Sequence, residues 1–253
     1  MSNRSKHSLN SARRPSPVHL YIATRIQAPL DLVWRRTRDL AQHQRWDLRF
    51  TAITPDPGAD PEGAQRFTYT TGRPPLTLTG HARTTAERRS AGAAVSALRF
   101  WSHQRHCPIA SGAGHWRYTP LEGGGVDFAT AYRYRVRGGT AGRLADRWLL
   151  GPLLGWATAW SFDRLRLWCE RGTTPEALAV RAVAEAGVRA GACAVLAAGA
   201  PWPLALAGAA AVWLVPPAPG TPAARRCRRR PERPASPAPA GAAGAGGADA
   251  GRR

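Results

Sequence analysis

The chain has 253 residues, enough for one ordinary globular domain plus extra segments, and it carries a net charge of +20 from 36 Lys+Arg against 16 Asp+Glu. Lys6 is the single lysine, so the excess is arginine, and with abundant Ala, Gly and Pro this reads as the product of a high-GC genome. Four cysteines without a C-x-x-C pair exclude a disulfide framework and a cysteine zinc site, and reduced thiols in the cytosol are the simplest reading.

Residues 1–17 are rich in Ser, Arg and Pro and form a basic lead without hydrophobic periodicity, expected to be disordered. No apolar h-region stands near the start, so no secretory signal is expected. From Val18 to Ala28 apolar and polar residues alternate (Val18, Leu20, Ile22, Thr24, Ile26 on one face), which is the period of a half-buried strand. Ala28-Pro29 ends it. Leu30, Val33, Trp34, Thr37 and Leu40 then recur at helical spacing, and a second short helix or turn over Asp39–Trp46 leads into Leu48–Thr54.

Five segments rich in Thr, Val and aromatic residues follow: Gln65–Thr71, Leu76–Arg88, Ala93–His103, Gly114–Pro120 and Val126–Arg137. Gly- and Pro-containing turns separate them, and no gap can hold a crossover helix, so an antiparallel meander is expected. After Gly138-Gly139 the period changes to 3.6, with Leu144, Trp148, Leu149, Leu153, Trp156, Trp160, Phe162, Leu165 and Trp168 marking a helix of about thirty residues. Pro152 predicts a kink or a join within it, and Gly172 its end.

This order predicts an α+β helix-grip fold over residues 18–172, a curved antiparallel sheet wrapped around a long C-terminal helix. The stretches "IQAPLDLVWRRTRDLAQHQRWD", "GHWRYTPLEGGGVDFATAYRYRV" and "GRLADRWLLGPLLGWATAWSFDRLRLWCERG" resemble the SRPBCC superfamily, the START-related and polyketide-cyclase-like proteins. The resemblance covers roughly 60% of the chain and rests on structural motifs, so it implies a fold and a cavity for an apolar molecule rather than one activity.

Residues 173–216 read as a hydrophobic helical hairpin. Ala190–Pro216 holds no charged residue, and Pro201-Trp202-Pro203 splits it into halves too short to cross a bilayer alone. With the arginines Arg225–Arg230 and the domain both expected on the cytoplasmic side, the crossings are even in number or absent. That leaves a membrane hairpin, a re-entrant or interfacial pair of helices over 176–216, or an Ala-rich hairpin packed on the domain. The position of this segment resembles actinobacterial relatives in which such a domain precedes membrane helices. Residues 217–253 are expected to be a disordered Pro/Ala/Arg-rich tail. Its arginine cluster is either a solvated arm or a contact for anionic lipid headgroups, with nucleic acid the weakest reading.

Candidate site residues follow from this frame. Trp46 and Trp101 are expected to line the cavity, with His81, His115 and Tyr132 as its polar contacts; alternation assigns these faces only if the register is right. The opposing expectation is that the tryptophans fill the core and leave no cavity. A cyclase or aromatase reading would use His81, Arg83, His115, Tyr132 and Tyr134, but no spacing pairs a nucleophile with a base, and no catalytic residue is assigned. His103, His106, Cys107 and His115 are of metal-ligand type, but they sit on a strand end and loop without a carboxylate to orient an imidazole, so neither a metal nor a cofactor is expected. The function expected is non-catalytic binding of a lipid or polyketide-like molecule at the cytoplasmic face of the membrane. A cyclase/aromatase-type enzyme in the same cavity is the alternative.

Overall fold

The computed structural model describes residues 20–58, 64–90 and 92–232. The basic lead 1–17 and the part of the expected tail from 233 to 253 lie outside the described residues. Strand β1 (Leu20–Ile26) enters two short helices, α1 (Leu30–Arg38) and α2 (Leu40–Trp46). Asp39 joins them: its carboxylate accepts the N–H groups of Ala41 and Gln42, which caps α2 and turns the chain between the helices.

Six strands follow: β2 (Ala52–Pro55), β3 (Arg66–Arg73), β4 (Leu76–Ser90), β5 (Ala93–Trp101), β6 (Ile109–Pro120) and β7 (Val126–Val136). All seven form one antiparallel sheet in the order β1-β7-β6-β5-β4-β3-β2, so the meander closes by laying its last strand beside the first. Register breaks between Thr84 and Ala86 and between Ile109 and Ser111 mark bulges, which increase local twist. Strand β6 begins five residues before the expected Gly114. The stretch Ile109–Ala113 is small and half-buried, without the alternation that marks the later half.

The long helix is continuous from Gly139 to Arg171 but changes pitch. An α-helical turn, α3 (Gly139–Ala145), passes through a π-helical turn at Asp146–Leu150 into α4 (Gly151–Arg171). Pro152 has no N–H to offer the preceding turn, and the widened π turn sits immediately before it, so the expected kink takes this form. Gly172 ends α4 in the left-handed conformation at φ 67°, which a residue with a side chain rarely adopts. The sheet curls around α4, and this is the helix-grip architecture. Its main core packs Ile22, Ile26, Val33, Trp46, Trp116, Tyr118 and Phe128 against Ala159, Phe162, Leu165 and Trp168 of α4.

Two helices then leave the domain, α5 (Pro175–Gly199) and α6 (Trp202–Leu214). They pair with each other. Apart from Pro175 and Leu178 at the start of α5, no residue of either helix is buried, so the expectation of a hairpin packed on the domain is not what the structure has.

The most consequential difference concerns residues 217–232, which the sequence assigned to a disordered tail. They form a strap on the domain. Thr221, Ala223, Ala224 and Cys227 are buried, and Ala224 and Cys227 belong to the main core. Asp163 of α4, fully buried, accepts the Ala223 N–H at 2.8 Å and the Arg226 guanidinium at 2.9 Å. Arg228 exchanges backbone hydrogen bonds with Ala23 at 2.8 and 2.9 Å, so the strap pairs with the outer edge of β1, and its side chain meets Asp127. Two members of the arginine cluster proposed for anionic lipid are therefore engaged inside the protein. Low-complexity composition concealed this because the ordering comes from partners on α4 and β1, not from any period in the strap itself.

Candidate ligand cavity

Between the concave face of the sheet and the N-terminal half of α4 lies a cavity of about 420 Å³. Alternation along the strands builds its walls: Phe67 and Tyr69 from β3, Leu78 and Ala82 from β4, and Leu98 and Phe100 from β5 point inward. Leu150, Leu153, Leu154 and Trp156 close the opposite side. Close packing of β6 on β7 leaves room here because Gly114 has no side chain; a Cβ there would fall 2.4 Å from that of Tyr132. The rim is apolar too, with Leu48, Leu153 and Trp156 exposed at its edge.

One polar cluster reaches this apolar space. It is carried by the segment just after α2 and by the facing residues of β7 and α4. The Asp47 carboxylate accepts Nε of Arg49 at 2.9 Å and NH2 at 2.6 Å, a two-pronged ion pair. It also bonds His43 Nε2 at 3.1 Å, one helical turn back. The remaining Arg49 nitrogen donates to the Tyr132 hydroxyl at 3.2 Å, and that hydroxyl meets Thr158 Oγ1 of α4 at 3.0 Å. Ser161 accepts the Leu48 N–H at 2.8 Å and so fixes the loop to the helix. Each member has partners, as a polar group removed from water requires.

Burial decides the ionisation of these groups. For Asp47 burial alone would raise the carboxyl, but the adjacent Arg49 charge, with the bonds from Arg49 and His43, holds it well below the usual carboxylate range. His43 is pushed down by burial, only partly offset by Asp47, so its ring is neutral. Tyr132 is pushed up by burial, against the pull of Arg49, and Tyr69 by burial to about 12. The cluster is thus one carboxylate, one guanidinium, a neutral imidazole and a neutral phenol, with its charges matched.

The five residues singled out from sequence fall in different places. Tyr132 lines the cavity and joins the polar cluster. His115 borders the cavity, but it alternates with inward Gly114 and Trp116, and the residue is exposed. Trp46 is fully buried in the main core beside the cavity, its indole N–H donating to the Arg36 carbonyl at 2.9 Å. His81 and Trp101 pair across β4 and β5 on the outer face, alternating with the inward Ala82 and Phe100. His81 there bonds Thr68, and Trp101 donates to His103. Of the further candidates, Tyr134 bonds Asp146 on the π turn. Among the described residues no group of three His, Cys, Asp or Glu side chains could hold a metal ion. Sequence reasoning passed over His43, Asp47 and Arg49. The i, i+4 spacing of His43 and Asp47 across the end of α2 was the available signal.

No protein-family model matches the chain. It is similar to the uncharacterized membrane protein YndG of Bacillus subtilis strain 168, at 38% identity over 162 residues, 62% of this chain and 59% of the relative. The chain therefore spans less than two thirds of that relative's length. Among solved structures it is similar to a hypothetical protein, jhp0584, from Helicobacter pylori (12% identity, 67% of this chain and 99% of that one, TM-score 0.49). A STAR-related lipid transfer protein from Xanthomonas axonopodis aligns at 18% identity over 61% of this chain and 88% of its own, TM-score 0.43. The Zhui aromatase/cyclase from Streptomyces sp. R1128 aligns at 16% over 58% and 94%, TM-score 0.41. Likenesses this distant carry nothing about ligand or activity.

Proposed function

We propose that the protein binds an apolar, uncharged small molecule in the cavity at a membrane surface, without turning it over. The carrying observation is the polar cluster at the wall of an otherwise apolar space. Three of the five Arg49 N–H groups are bonded to Asp47 and Tyr132 and its charge is already balanced by Asp47, so a ligand carboxylate would bring an unmatched negative charge beside an intact buried ion pair. A ligand hydroxyl, in contrast, can donate to the remaining lone pair of the Tyr132 hydroxyl, whose own proton goes to Thr158, without disturbing charge balance. A lipid or polyketide-like molecule with one such group fits this chemistry. His81, Trp101 and Trp46 do not line this site, and His115 stands at its border. The proposed contacts are Tyr132, Arg49 and the apolar walls.

Non-catalytic binding is favoured over cyclase or aromatase chemistry by the same cluster. Both Asp47 oxygens are occupied, so the carboxylate offers no free base to a bound molecule, and the His43 ring that shares it is 3% exposed. Membrane association is supported by the exposed apolar hairpin and by the similarity to a membrane protein of Bacillus subtilis. The side of the membrane is inferred from the arginine distribution alone.

Native mass spectrometry of the full chain released from detergent, with organic extraction of what it carries, tests this reading. An apolar molecule of fixed mass is expected, and a long-chain alcohol should bind more tightly than the fatty acid of equal length. Leu98→Trp, which fills the cavity from β5, is expected to remove the bound mass while leaving a folded chain. A bare chain that takes up neither alcohol nor acid would overturn the proposal.

A further inference from the structure

The paired helices α5 and α6 stand free of the domain, and their ends are both tied to it. At the start, the Pro175 carbonyl accepts Nε and NH2 of Arg164 at 2.9 and 2.6 Å, Leu178 is fully buried, and Glu176 pairs with Arg45. At the far end the strap returns to Asp163 and to the edge of β1. Arg189, on α5, donates to the carbonyls of Val212, Val215 and Pro216, the last turn of α6 and the residues after it. Glu185 pairs with Arg189 and accepts the Ala218 N–H. This charged layer marks the base of the hairpin. Beyond it, from Ala190 to Ala224, no charged residue occurs.

We propose that this hairpin enters a single leaflet of a lipid bilayer from the domain's side and turns back near the midplane at Ala200–Pro203, without crossing. The inference rests on the membrane association read above and fixes its geometry. Length argues it first. The ten residues from Ala190 to Gly199 rise about 15 Å and the 13 residues of α6 about 20 Å, against roughly 30 Å of hydrocarbon. Half a bilayer matches; a whole one does not.

Helix α5 taken alone, at 25 residues, is long enough to cross. As a span it would carry Glu185 and Arg189 toward mid-depth, where a charge is costly. It would also leave the strap on the opposite side from the domain, and a 13-residue α6 cannot bring it back. The strap supplies Ala224 and Cys227 to the domain core, so a single crossing would break the fold. The surfaces agree with lipid as the covering partner. Val188, Val195, Trp202, Leu206 and Leu214 are each 57% or more exposed, and the close contact of Gly208 with Leu196 lets the two helices pair tightly enough to enter together. Backbone groups at the turn are the exception, and at the midplane Ala200 still donates to Leu196 and Leu204 to Pro201.

Cell-free synthesis of the full chain with sealed phosphatidylcholine vesicles containing phosphatidylglycerol provides the test. Single cysteines at Glu122 in the β6–β7 turn, at Trp202 and at Arg230 are introduced with Cys107 and Cys193 replaced by Ser; Cys169 and Cys227 are buried. The chain should float with the vesicles. E122C and R230C should react with an impermeant maleimide added outside, and W202C should react from neither side until detergent is added. Labelling of W202C by external reagent would mean a hairpin lying on the surface, and labelling by reagent sealed inside would mean a crossing. R230C reacting only from inside would mean a single span. Each overturns the proposal. Leu206→Arg, at an exposed position, should abolish flotation while the bound ligand mass is kept. A chain that fails to float, sediments as a dimer and still carries its ligand would show that a second copy covers the hairpin, leaving ligand binding standing and this proposal fallen.

Discussion

At the scale of single residues the molecule turns on Asp47. Its carboxylate is fully buried and survives as an anion because Arg49 faces it with two nitrogens. Removing one partner of such a pair leaves an unmatched charge out of water, so Arg49→Leu is expected to cost about 3–5 kcal/mol in urea denaturation. Asp47→Asn combined with Arg49→Leu should recover more than half of that loss, because the buried charge is gone. His43 adds a pH dependence of definite sign. Its folded pKa lies below the ordinary 6.5, so as the pH falls below 6.5 the unfolded chain takes up a proton that the buried ring refuses. The unfolded state then binds more protons, and stability falls with pH in that window; above it this residue contributes no slope. Urea midpoints should drop between about pH 7 and about pH 5, and His43→Gln should flatten the drop. Asp47, held low, adds a loss of the same sign further down, below 3.8.

Among elements the strap and α4 depend on each other. Asp163 is the joint: it accepts from Arg166 on its own helix and from Ala223 and Arg226 of the strap. Asp163→Asn weakens charge-assisted bonds to all three and is expected to cost about 2 kcal/mol and to open the strap to proteolysis. Arg225→Ala, at an exposed position of the same segment, should change stability by no more than about 0.5 kcal/mol. The contrast separates a packed strap from a merely basic one. What was legible beforehand divides along the same line. Elements that bury a face by their own period, such as β1, the later strands and α4, could be read from alternation or 3.6-residue recurrence. The strap could not, because its buried residues are small, and its partners lie about 60 to 200 residues earlier. The cavity itself followed from the fold, whereas its polar residues did not: His43, Asp47 and Arg49 straddle a helix end, where neither period applies. Trp101 and His81, expected to face the cavity, stand on the outer face because side chains alternate along a strand and Ala82 and Phe100 take the inward positions.

The whole molecule is a cup closed by one helix, with an apolar interior and an apolar hairpin projecting from it. The two features serve different contacts. The cavity is apolar with its charges matched, as the neutral ligand proposed above requires, and the hairpin is bare wherever it leaves the domain. Both free edges of the sheet are guarded. At one end β2 is four residues long and finishes in Pro55, and at the other β1 is covered by Arg228.

That cover has a further consequence for how the protein comes into being. Ala23 and Arg228 pair across nearly the whole chain, and the core lacks Ala224 and Cys227 until the strap is available. During synthesis the hydrophobic hairpin therefore leaves the ribosome before the domain behind it can be completed. Were the hairpin to insert as proposed, it would meet the lipid surface while the core still lacked these two residues. Closure of the strap on Asp163 and the edge of β1 would then tie both ends of the hairpin to the domain.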